Sequence, residues 1–548
     1  MSARATAALM IVAFFGCATA MATPAAGSAV VTTAQGMLAG RVEAGGVRSF
    51  KGIPYAQPPV GKRRWTAPIA AAGWKGVRDA SRFGAGCIQP PWPARSIYND
   101  RIANFSENCL FLNVWAPRRA SKAPVIVWIY GGGYVYGSTA EPNYDGRNFA
   151  AHGVVFVSMN YRLGVLGWLA LPALTAESPH RVSGNYGLLD QIAALAWVKR
   201  NIAAFGGDPR NVTIMGESAG GLSVAYLLAS PLARGLFQKA IGESLGIYSE
   251  PELKKADHGL PSAEAAGTLI EKDLHAVNLR ALRAMDATKL DFGALEAGYR
   301  PTGTIDGWAL PRQLVDTYDR GEEAHVPVLM GFNAGEIETL PSALPPLPAS
   351  SAVYEEQIRK RYRDLAPAFL RLYPAANVRA SMMAAERDAI FGWGAERIVR
   401  DEASLGEPAY LYFFDHDYPA AHVRGLHAFH ASEIPYVFGR IGPNAPHLPN
   451  WPTPRGPGEE ALSNAMMAYW ISFARSGIPR APGQPDWPSF APHESYMHFA
   501  AKPEAATNLM PGMYRLNEEV MRRRRRAGDQ QWATDVGVAA PVLPPARP

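Results

Sequence analysis

A serine between two glycines is the residue of this sequence best placed for covalent chemistry. The stretch Gly216-Glu217-Ser218-Ala219-Gly220 fits the pattern Gly-x-Ser-x-Gly. An apolar run precedes this stretch and a helical pattern follows it, which predicts that Ser218 lies on a sharp strand-to-helix turn. Glycine lets such a turn close without side-chain clashes, and the helix amino end directs N–H groups at the reacting oxygen. We therefore predict that Ser218 is the nucleophile of an acyl-transfer reaction, the alternative being a structural Gly-Ser turn.

A serine nucleophile also needs donors that stabilise the oxyanion formed during acyl transfer. The segment Tyr130-Gly131-Gly132-Gly133 directly follows another apolar run, and glycines without side chains let backbone N–H groups face a substrate oxygen. We assign the backbone of Gly132 and Gly133, with the amide of Ala219, as the oxyanion hole. The alternative is a flexible glycine loop.

The general base and its acidic partner are less clearly marked. Triads built on such turns follow the chain order Ser, acid, His. The acid should then follow the apolar run at residues 326–331, where Glu336 and Glu338 both qualify. The sequence has 12 histidines, and the base is sought among those that follow the apolar run at 410–414: His416, His422, His427 and His430. Spacing alone leaves these alternatives open.

The segment with these histidines is also rich in groups that bind metal ions. Its candidate ligands are Asp415, His416, Asp417, His422, His427 and His430. No pair among them has the H-E-x-x-H spacing that places two ligands on one helical face. The segment is predicted to be a loop, where spacing fixes no geometry. We therefore predict no metal site.

Buried strands that alternate with helices are predicted to position these residues. Runs that are apolar on both faces, as in strands covered by helices on both sides, occur at 124–130, 154–159, 212–215, 326–331 and 410–414. One helical face between the second and third runs is formed by Leu188, Ile192, Leu195, Val198 and Ile202. Strand, helix and strand in succession predict an α/β fold with a mostly parallel sheet. A later helix is predicted at residues 459–476.

The composition is that of an ordinary globular protein. The 548 residues are 48% hydrophobic and 19% charged, which excludes disorder, collagen and coiled coil as descriptions of the whole chain. The net charge of +6 is not spread as a nucleic-acid-binding surface would be, so no nucleic-acid partner is predicted. The run Arg522 to Arg526 is interpreted as the solvated end of a terminal helix offset by Glu518 and Glu519, with a membrane or surface patch as the alternative.

The first residues have the features of an export signal. Residues 1–22 contain Arg4, a short apolar stretch and then small residues, with cleavage expected after Ala20 or Ala22. No later stretch reaches the length of about 18 apolar residues that a membrane span needs. We therefore predict an exported protein, periplasmic or secreted, with lipidation at Cys17 as the alternative.

Removal of the signal would leave two cysteines, Cys87 and Cys109. An even pair in an exported chain indicates a disulfide, the alternative being two free buried thiols. In the chain-entropy model, closing a loop of about 20 residues stabilises a fold by roughly 3 kcal/mol.

Long motifs along the chain resemble those of the type B carboxylesterases, the family that includes bacterial para-nitrobenzyl esterases and the cholinesterases. The resemblance extends from residue 31 to residue 532. Its marks are FKGIPYA at 50–56, SENCLFLN at 106–113, NYRLG at 160–164, GNYG at 184–187 and FGGDP at 205–209. It implies an α/β-hydrolase fold, a Ser-Glu-His triad, a Cys87–Cys109 disulfide and no cofactor.

The resemblance also selects among the triad candidates. The segment FHASEIPYVF at 429–438 resembles the family's catalytic histidine segment, which implies His430 rather than His427 and leaves Glu433 as a structural partner. The segment GFNAGE at 331–336 implies Glu336 as the acid, although the flanking residues depart from the usual Asp-Glu-Gly.

Two further positions bear on the family resemblance, one as a departure from the family pattern and one as a match to it. Tyr130 stands where the family usually has a histidine before the glycines. Glu217 resembles the acidic neighbour of the serine in cholinesterases, which implies an electrostatic role; the alternative is a surface-facing turn residue.

These expectations define the domain organisation. Residues 1–22 are the signal and 28–532 form one α/β-hydrolase domain. Helical insertions at about 251–300 and 352–404 are expected to cap the site, and 533–548 form a Pro-rich tail.

The predicted function is hydrolysis of a carboxylic ester through an acyl-enzyme, with a small-molecule ester and water as partners. A related bacterial branch hydrolyses polycarboxylic esters such as fumonisins, and the resemblance permits that specialisation. The alternatives are a catalytically silent adhesion module on the same fold and an amide or thioester hydrolase. Tyr134, Tyr136, Trp168 and Trp393 are candidates for an aromatic pocket, with core packing as the alternative.

Overall fold

A large, mostly parallel sheet organises the computed structural model, which describes residues 28–442, 445–532 and 534–546. Within these residues the sheet has 13 strands in the order β1-β2-β3-β5-β7-β6-β8-β9-β10-β11-β12-β13, with β4 beside β2. The strands are β1 (Ser28–Thr33), β2 (Gly36–Val42), β3 (Arg48–Pro54), β4 (Val77–Asp79), β5 (Phe111–Ala116), β6 (Ala123–Ile129), β7 (Val155–Met159), β8 (Gly207–Glu217), β9 (Lys239–Glu243), β10 (Val328–Asn333), β11 (Ala409–Phe414), β12 (Ser495–Phe499) and β13 (Pro503–Thr507).

The centre of the sheet is parallel, and the pairs toward its edges are antiparallel except the pair of β2 with β4. Neighbouring strands run parallel from β7 through β6, β8, β9, β10 and β11 to β12. Every residue of β7, β9, β10 and β11 is buried, so both faces of these strands are covered. The parallel sheet of buried strands predicted from the apolar runs is therefore present, because strands without a polar face are stable only between two layers.

Helices connect the strands and cover the sheet. They are α1 (Arg147–Ala151), α2 (Gly164–Trp168), α3 (Pro172–Glu177), α4 (Tyr186–Asn201), α5 (Ala219–Ala229), α6 (Ala263–Asp273), α7 (Leu279–Ala284), α8 (Ala287–Glu296), α9 (Leu314–Tyr318), α10 (Ser351–Tyr362), α11 (Ala366–Leu372), α12 (Val378–Arg387), α13 (Trp393–Ser404), α14 (Pro419–His422), α15 (Ile434–Val437), α16 (Pro457–Ser476) and α17 (Met513–Ala527). A π-helical turn, Asp388–Gly392, joins α12 to α13.

The helices agree with the periodicity of the sequence. The predicted helix between the second and third apolar runs is α4, and Gly206, with a φ of 92°, ends the 3-10 turn that follows it. The later predicted helix is α16, which ends at Gly477 in the left-handed conformation. The stretches 251–300 and 352–404 contain α6 to α8 and α10 to α13, respectively.

The arginine run at the end of α17 is bound into the fold, which the sequence analysis did not anticipate. Arg523 pairs with Asp364 at 2.6 Å and Arg525 with Asp316 at 2.5 Å. Arg524 is 1% exposed. Its guanidinium donates to four backbone carbonyls, those of Gln531, Trp532, Thr534 and Asp535. The expectation of a solvated helix end was wrong for these three residues, because acidic groups and the C-terminal tail surround them.

The tail packs along α10 rather than extending into solvent. The Leu543 amide donates to the Arg361 carbonyl at 2.8 Å, and the Gly537 amide donates to the Tyr362 hydroxyl at 2.8 Å. Val538 and Leu543 are buried. The tail is thus part of the same packed unit as the insertion at 352–404.

Of the features expected of an exported protein, the disulfide is present and the signal lies in a part of the chain that the structure does not describe. A disulfide joins Cys87 and Cys109, whose Cα atoms are 4.9 Å apart. The predicted signal at residues 1–22 lies outside the described residues. Among the helices of the described part of the chain, none combines the length and the apolar character that crossing a bilayer requires.

Candidate active site

Ser218 lies on a strained turn between β8 and α5. Its φ of 57° and ψ of −123° are unusual for a residue with a side chain, and such strain occurs where the surroundings impose it. A Cβ atom at Gly216 would lie 2.3 Å from the Gly220 carbonyl oxygen, and one at Gly220 would lie 2.0 Å from the Ile129 oxygen. The Ser218 amide donates to the Glu243 carbonyl at 2.9 Å. The glycines of the motif are therefore required by close backbone approach, as the sequence predicted.

Glu336 and His430 form a buried pair beside this turn. Nδ1 of His430 lies 2.5 Å from Oε2 of Glu336, and Oε1 of Glu336 accepts the Asn333 amide at 2.8 Å. Glu336 is 0% exposed and His430 is 5% exposed. A carboxylate in this position fixes the orientation of the imidazole and the proton on Nδ1.

The other candidates for acid and base lie elsewhere. Glu338 is half-buried on the 3-10 turn after Glu336. His427 is largely exposed, and its Nδ1 lies 3.0 Å from Oδ2 of Asp417. His422 contacts the same carboxylate at 2.7 Å. His416 lies 2.6 Å from Glu459.

Asn333 joins the segments that hold the acid and the histidine. Its side-chain Nδ2 donates to the Phe429 carbonyl at 2.9 Å and to Oε2 of Glu433 at 2.5 Å. Glu433 is fully buried, and burial together with Glu217 and Glu336 raises its pKa above the ordinary value. Glu433 therefore contacts the framework of the site, in agreement with its predicted structural role.

Glu217 faces the imidazole from the side opposite Glu336. Its Oε1 lies 3.1 Å from Nε2 of His430, and Glu217 is 3% exposed, so the surface-facing alternative was wrong. Within the described residues no hydrogen bond joins Ser218 Oγ to His430, although both residues line the same cavity. Catalytic hydrogen bonds are often long or misaligned before substrate binds.

The two carboxylates control the protonation of His430. Burial lowers the pKa of His430, but Glu217 and Glu336 outweigh this effect and raise the pKa above its usual value. Burial raises the pKa of Glu217, and the positive charge of His430 opposes that rise. The imidazole consequently holds its proton to higher pH than a solvated histidine.

The three residues predicted to supply backbone oxyanion donors are Gly132, Gly133 and Ala219. All three residues line the cavity beside Ser218. The φ values of Gly132 and Gly133 are 98° and 63°, a region that favours glycine. The Tyr161 hydroxyl donates to the Tyr130 carbonyl at 2.7 Å and fixes the strand end before these glycines. With tyrosine at 130, Gly132 and Gly133 still line the cavity beside Ser218.

The cavity has a volume of about 710 Å³, and eight of its lining residues are tryptophan, tyrosine or phenylalanine. Of the four aromatic candidates, Tyr134 and Tyr136 line it. Trp168 packs against Tyr134 at a ring distance of 4.3 Å, and Trp393 donates to Glu518 at 2.9 Å; both were wrong as lining residues. The sequence analysis missed the other aromatic residues of the wall, which are Trp92, Tyr98, Tyr144, Tyr248, Phe391 and Trp451.

Apart from His430, the titratable charged side chains of the wall are acidic. Glu141 and Glu217 line the cavity, whereas no lysine or arginine is found among the described residues that do so. Glu141 is 8% exposed. Burial, with the nearby carboxylates of Asp100 and Glu217, raises the pKa of Glu141 well above the ordinary value. His430 is therefore the one side chain among the described lining residues that can present a positive charge to an anionic substrate group.

This chain is similar to known esterases. The family model "Carboxylesterase family" matches residues 27–516. A fumonisin B1 esterase from Sphingopyxis macrogoltabida is 39% identical over 470 residues, covering 84% of this chain and 84% of that protein. A para-nitrobenzyl esterase from Bacillus subtilis (strain 168) is 36% identical over 474 residues, covering 84% of this chain and 92% of that protein.

The fold is also similar to solved structures. A PNB esterase structure matches with a TM-score of 0.76 and 32% identity, covering 89% of this chain and 99% of that chain. A second PNB esterase structure matches with a TM-score of 0.71, covering 88% of this chain and 97% of that chain. The predicted α/β-hydrolase fold is thereby confirmed.

Proposed function

Because this chain belongs to the carboxylesterase family and is a carboxylic-ester hydrolase, we propose that Ser218, His430 and Glu336 are its catalytic triad. The observation that carries the proposal is the pair of contacts at His430. Its Nδ1 is held by Glu336 at 2.5 Å, and the ring lines the same cavity as Ser218. The catalytically silent adhesion module considered from the sequence is excluded by the hydrolase assignment.

In the first half-reaction, Ser218 Oγ attacks the ester carbonyl carbon while its proton passes to Nε2 of His430. This step requires Nε2 to turn from Glu217 toward Ser218 when substrate occupies the cavity. The carbonyl electron pair moves to oxygen, and the amides of Gly132, Gly133 and Ala219 stabilise the oxyanion. The C–O bond to the alcohol then breaks, and Nε2 returns the proton to the leaving oxygen.

In the second half-reaction, water attacks the acyl-enzyme. Its proton passes to His430, the oxyanion forms again at the same amides, and collapse breaks the bond to Ser218. Glu336 orients the ring and stabilises its charged form. Each oxyanion donor is expected to contribute about 2.7–4 kcal/mol to transition-state stabilisation.

The substrate class that fits the cavity is an uncharged ester with a bulky apolar or aromatic group. Two observations support this proposal: the aromatic wall of the cavity, and an acidic rather than basic set of charged groups around it. The similarity to a fumonisin B1 esterase keeps polycarboxylic esters as candidates, but a substrate carboxylate would meet the carboxyl groups of Glu141 and Glu217 and no lysine or arginine among the described lining residues. We therefore rank uncharged esters first.

We also propose that the protein is exported to the periplasm or secreted. The Cys87–Cys109 disulfide supports this, because such bonds persist in oxidising compartments. Amino-terminal sequencing of protein recovered outside the cytoplasm should find a start after Ala20 or Ala22. Recovery of the activity only from the cytoplasm would contradict export.

The triad proposal is tested with a fluorophosphonate probe, which forms a covalent bond with an activated serine. Wild type should be labelled and should hydrolyse 4-nitrophenyl butyrate, whereas Ser218→Ala should do neither. Ser121→Ala, at an exposed serine outside the cavity, is the matched control and should behave like wild type. Labelling of Ser218→Ala at the wild-type rate would overturn the assignment. Parallel assays with amides and thioesters of the same acyl group test which class of acyl bond the protein hydrolyses.

A further inference from the structure

The segment between the two disulfide cysteines reaches into the catalytic site. This disulfide loop, residues 88–108, contributes Trp92, Ser96 and Tyr98 to the cavity wall. At its base the chain is closed by the disulfide and by the Gly86 amide, which donates to the Asn104 carbonyl at 2.9 Å. The disulfide and this hydrogen bond therefore hold the two ends of the loop together, while the middle of the loop lines the cavity.

Tyr98 connects this loop to both sides of the Glu336–His430 pair. Its hydroxyl lies 2.9 Å from the His430 carbonyl oxygen and 2.8 Å from the Thr339 hydroxyl. A phenol has a single hydrogen to donate, so Tyr98 donates to His430 and accepts from Thr339. Thr339 ends the 3-10 turn that begins at Glu336.

A second contact connects the loop to the glycine segment of the site. The Gln89 side chain donates to the Gly137 carbonyl at 2.8 Å and accepts the Gly137 amide at 2.9 Å. Gly137 follows the segment that holds Gly132 and Gly133. The disulfide loop thus makes hydrogen bonds to three parts of the site. These are the turn that begins at Glu336, the backbone of His430, and Gly137 in the segment next to the proposed oxyanion donors.

We propose that Tyr98 is a positioning residue, through which the disulfide loop holds His430 in register with Glu336. This inference rests on the triad proposed above. Removal of the hydroxyl would leave the buried His430 carbonyl and the Thr339 hydroxyl without their partner, and the two segments could then separate. Small displacements of reacting groups are costly, since a shift of about 1 Å can lower the rate roughly 100-fold.

The first test is Tyr98→Phe, which keeps the aromatic ring in the wall. With 4-nitrophenyl acetate as a small substrate, kcat should fall about tenfold or more, while KM should change less than about threefold. The acidic limb of the kcat/KM profile should also move to lower pH, because looser contact with the carboxylates lowers the pKa of His430. A wild-type kcat together with an unchanged profile would overturn the proposal.

The matched control is Tyr354→Phe, which removes another buried hydroxyl that donates to a backbone carbonyl, that of Tyr373 at 2.9 Å, away from the cavity. It should lower the thermal midpoint as Tyr98→Phe does, but leave kcat and the pH profile at their wild-type values. Equal loss of kcat in both variants would attribute the effect to general stability and overturn the proposal.

A double-mutant cycle tests the connection to the loop. Replacing Cys87 and Cys109 by serine should lower kcat, and adding Tyr98→Phe should lower it little further, because both changes interrupt one connection. Strictly multiplicative losses would show that the loop does not act through Tyr98. Fluorophosphonate labelling separates this proposal from the triad: an unlabelled wild type would refute the triad, whereas a labelled wild type with an unaffected Tyr98→Phe would refute only the role of Tyr98.

Discussion

Oε1 of Glu217 lies 3.1 Å from Nε2 of His430, the nitrogen that the proposed mechanism uses as the base toward Ser218. The imidazole is therefore held between two carboxylates, since Nδ1 contacts Glu336. Both negative charges favour the protonated ring, which cannot accept a proton from serine. Activity should accordingly require a pH above the ordinary histidine range.

The pH dependence of kcat/KM should show this effect. In wild type, activity should rise with pH with an apparent pKa above about 6.5, because only neutral His430 acts as a base and its pKa is raised. Glu217→Gln removes one negative charge and should move this limb to lower pH. An unmoved limb in Glu217→Gln would show that the contact does not control the base.

The identity of the acid can be decided by comparing two neighbouring carboxylates. Glu336→Gln should lower kcat by a factor of roughly 10³–10⁴, because the amide cannot stabilise the charged ring. Glu338→Gln should stay within about threefold of wild type, since the half-buried Glu338 makes no hydrogen bond to His430. Steady-state assays with one ester suffice, and the reverse order of losses would contradict the triad.

The glycine at 220 should be intolerant of any side chain. Gly220→Ala places a Cβ atom 2.0 Å from the Ile129 carbonyl oxygen, so the turn must shift. We expect the free energy of unfolding in urea to fall by at least about 2 kcal/mol, with loss of activity. Gly458→Ala, in α16 where a Cβ atom meets nothing within 4 Å, is the control and should be neutral or slightly stabilising. A fully stable and active Gly220→Ala would be inconsistent with the turn geometry.

Glu141 should select against anionic substrates. Between two phenyl butyrates that differ only in a ring carboxylate or carboxamide, wild type should prefer the carboxamide. Glu141→Gln should reduce this preference, and the reduction should grow as the pH rises, because the raised pKa leaves Glu141 uncharged at low pH. The ratio of the two kcat/KM values measures the effect. Equal ratios in both proteins at every pH tested would remove Glu141 from substrate selection.

The buried Arg524 should contribute more to stability than its exposed neighbour Arg526. Arg524→Met leaves four backbone carbonyls without their donor and should lower the free energy of unfolding by about 2 kcal/mol or more. Arg526→Met should change it by less than about 0.5 kcal/mol. Similar values for both variants, measured by urea denaturation, would contradict the structural role of Arg524.

The local parts of the site could be predicted from the sequence, and the long-range parts could not. Ser218 and the glycines at 131–133 could be recognised from their neighbours in the sequence. The strained turn and the glycine segment each lie within one short stretch of chain. Glu336 and His430 are 94 positions apart and are brought together by the parallel pairing of β10 and β11 and by the bridge between Gly335 and Phe429. For these two residues the spacing left Glu338 and His427 open, and only the family resemblance favoured the pair that the structure joins.

The aromatic and basic residues show a different limit of sequence reasoning. Trp168 and Trp393 were candidates for the cavity by residue type, yet type does not determine which face of a buried element a side chain occupies. Tyr98 has no periodicity around it, since it lies on a loop fixed by a disulfide. In the sequence, the arginines of α17 have the pattern of a solvated helix end. Their burial depends on the tail, whose backbone carbonyls accept from Arg524 and whose position the sequence does not indicate.

The packing of the tail along α10 has a practical consequence for protein engineering. A protein shortened before Thr534 would lose the carbonyls of Thr534 and Asp535 as acceptors for Arg524 and would uncover the apolar surface beneath Val538 and Leu543. Truncation at the end of the family-matched region, residue 516, would in addition cut α17 near its start. Expression vectors for this enzyme should therefore retain residues up to at least 546 and place any affinity handle beyond them.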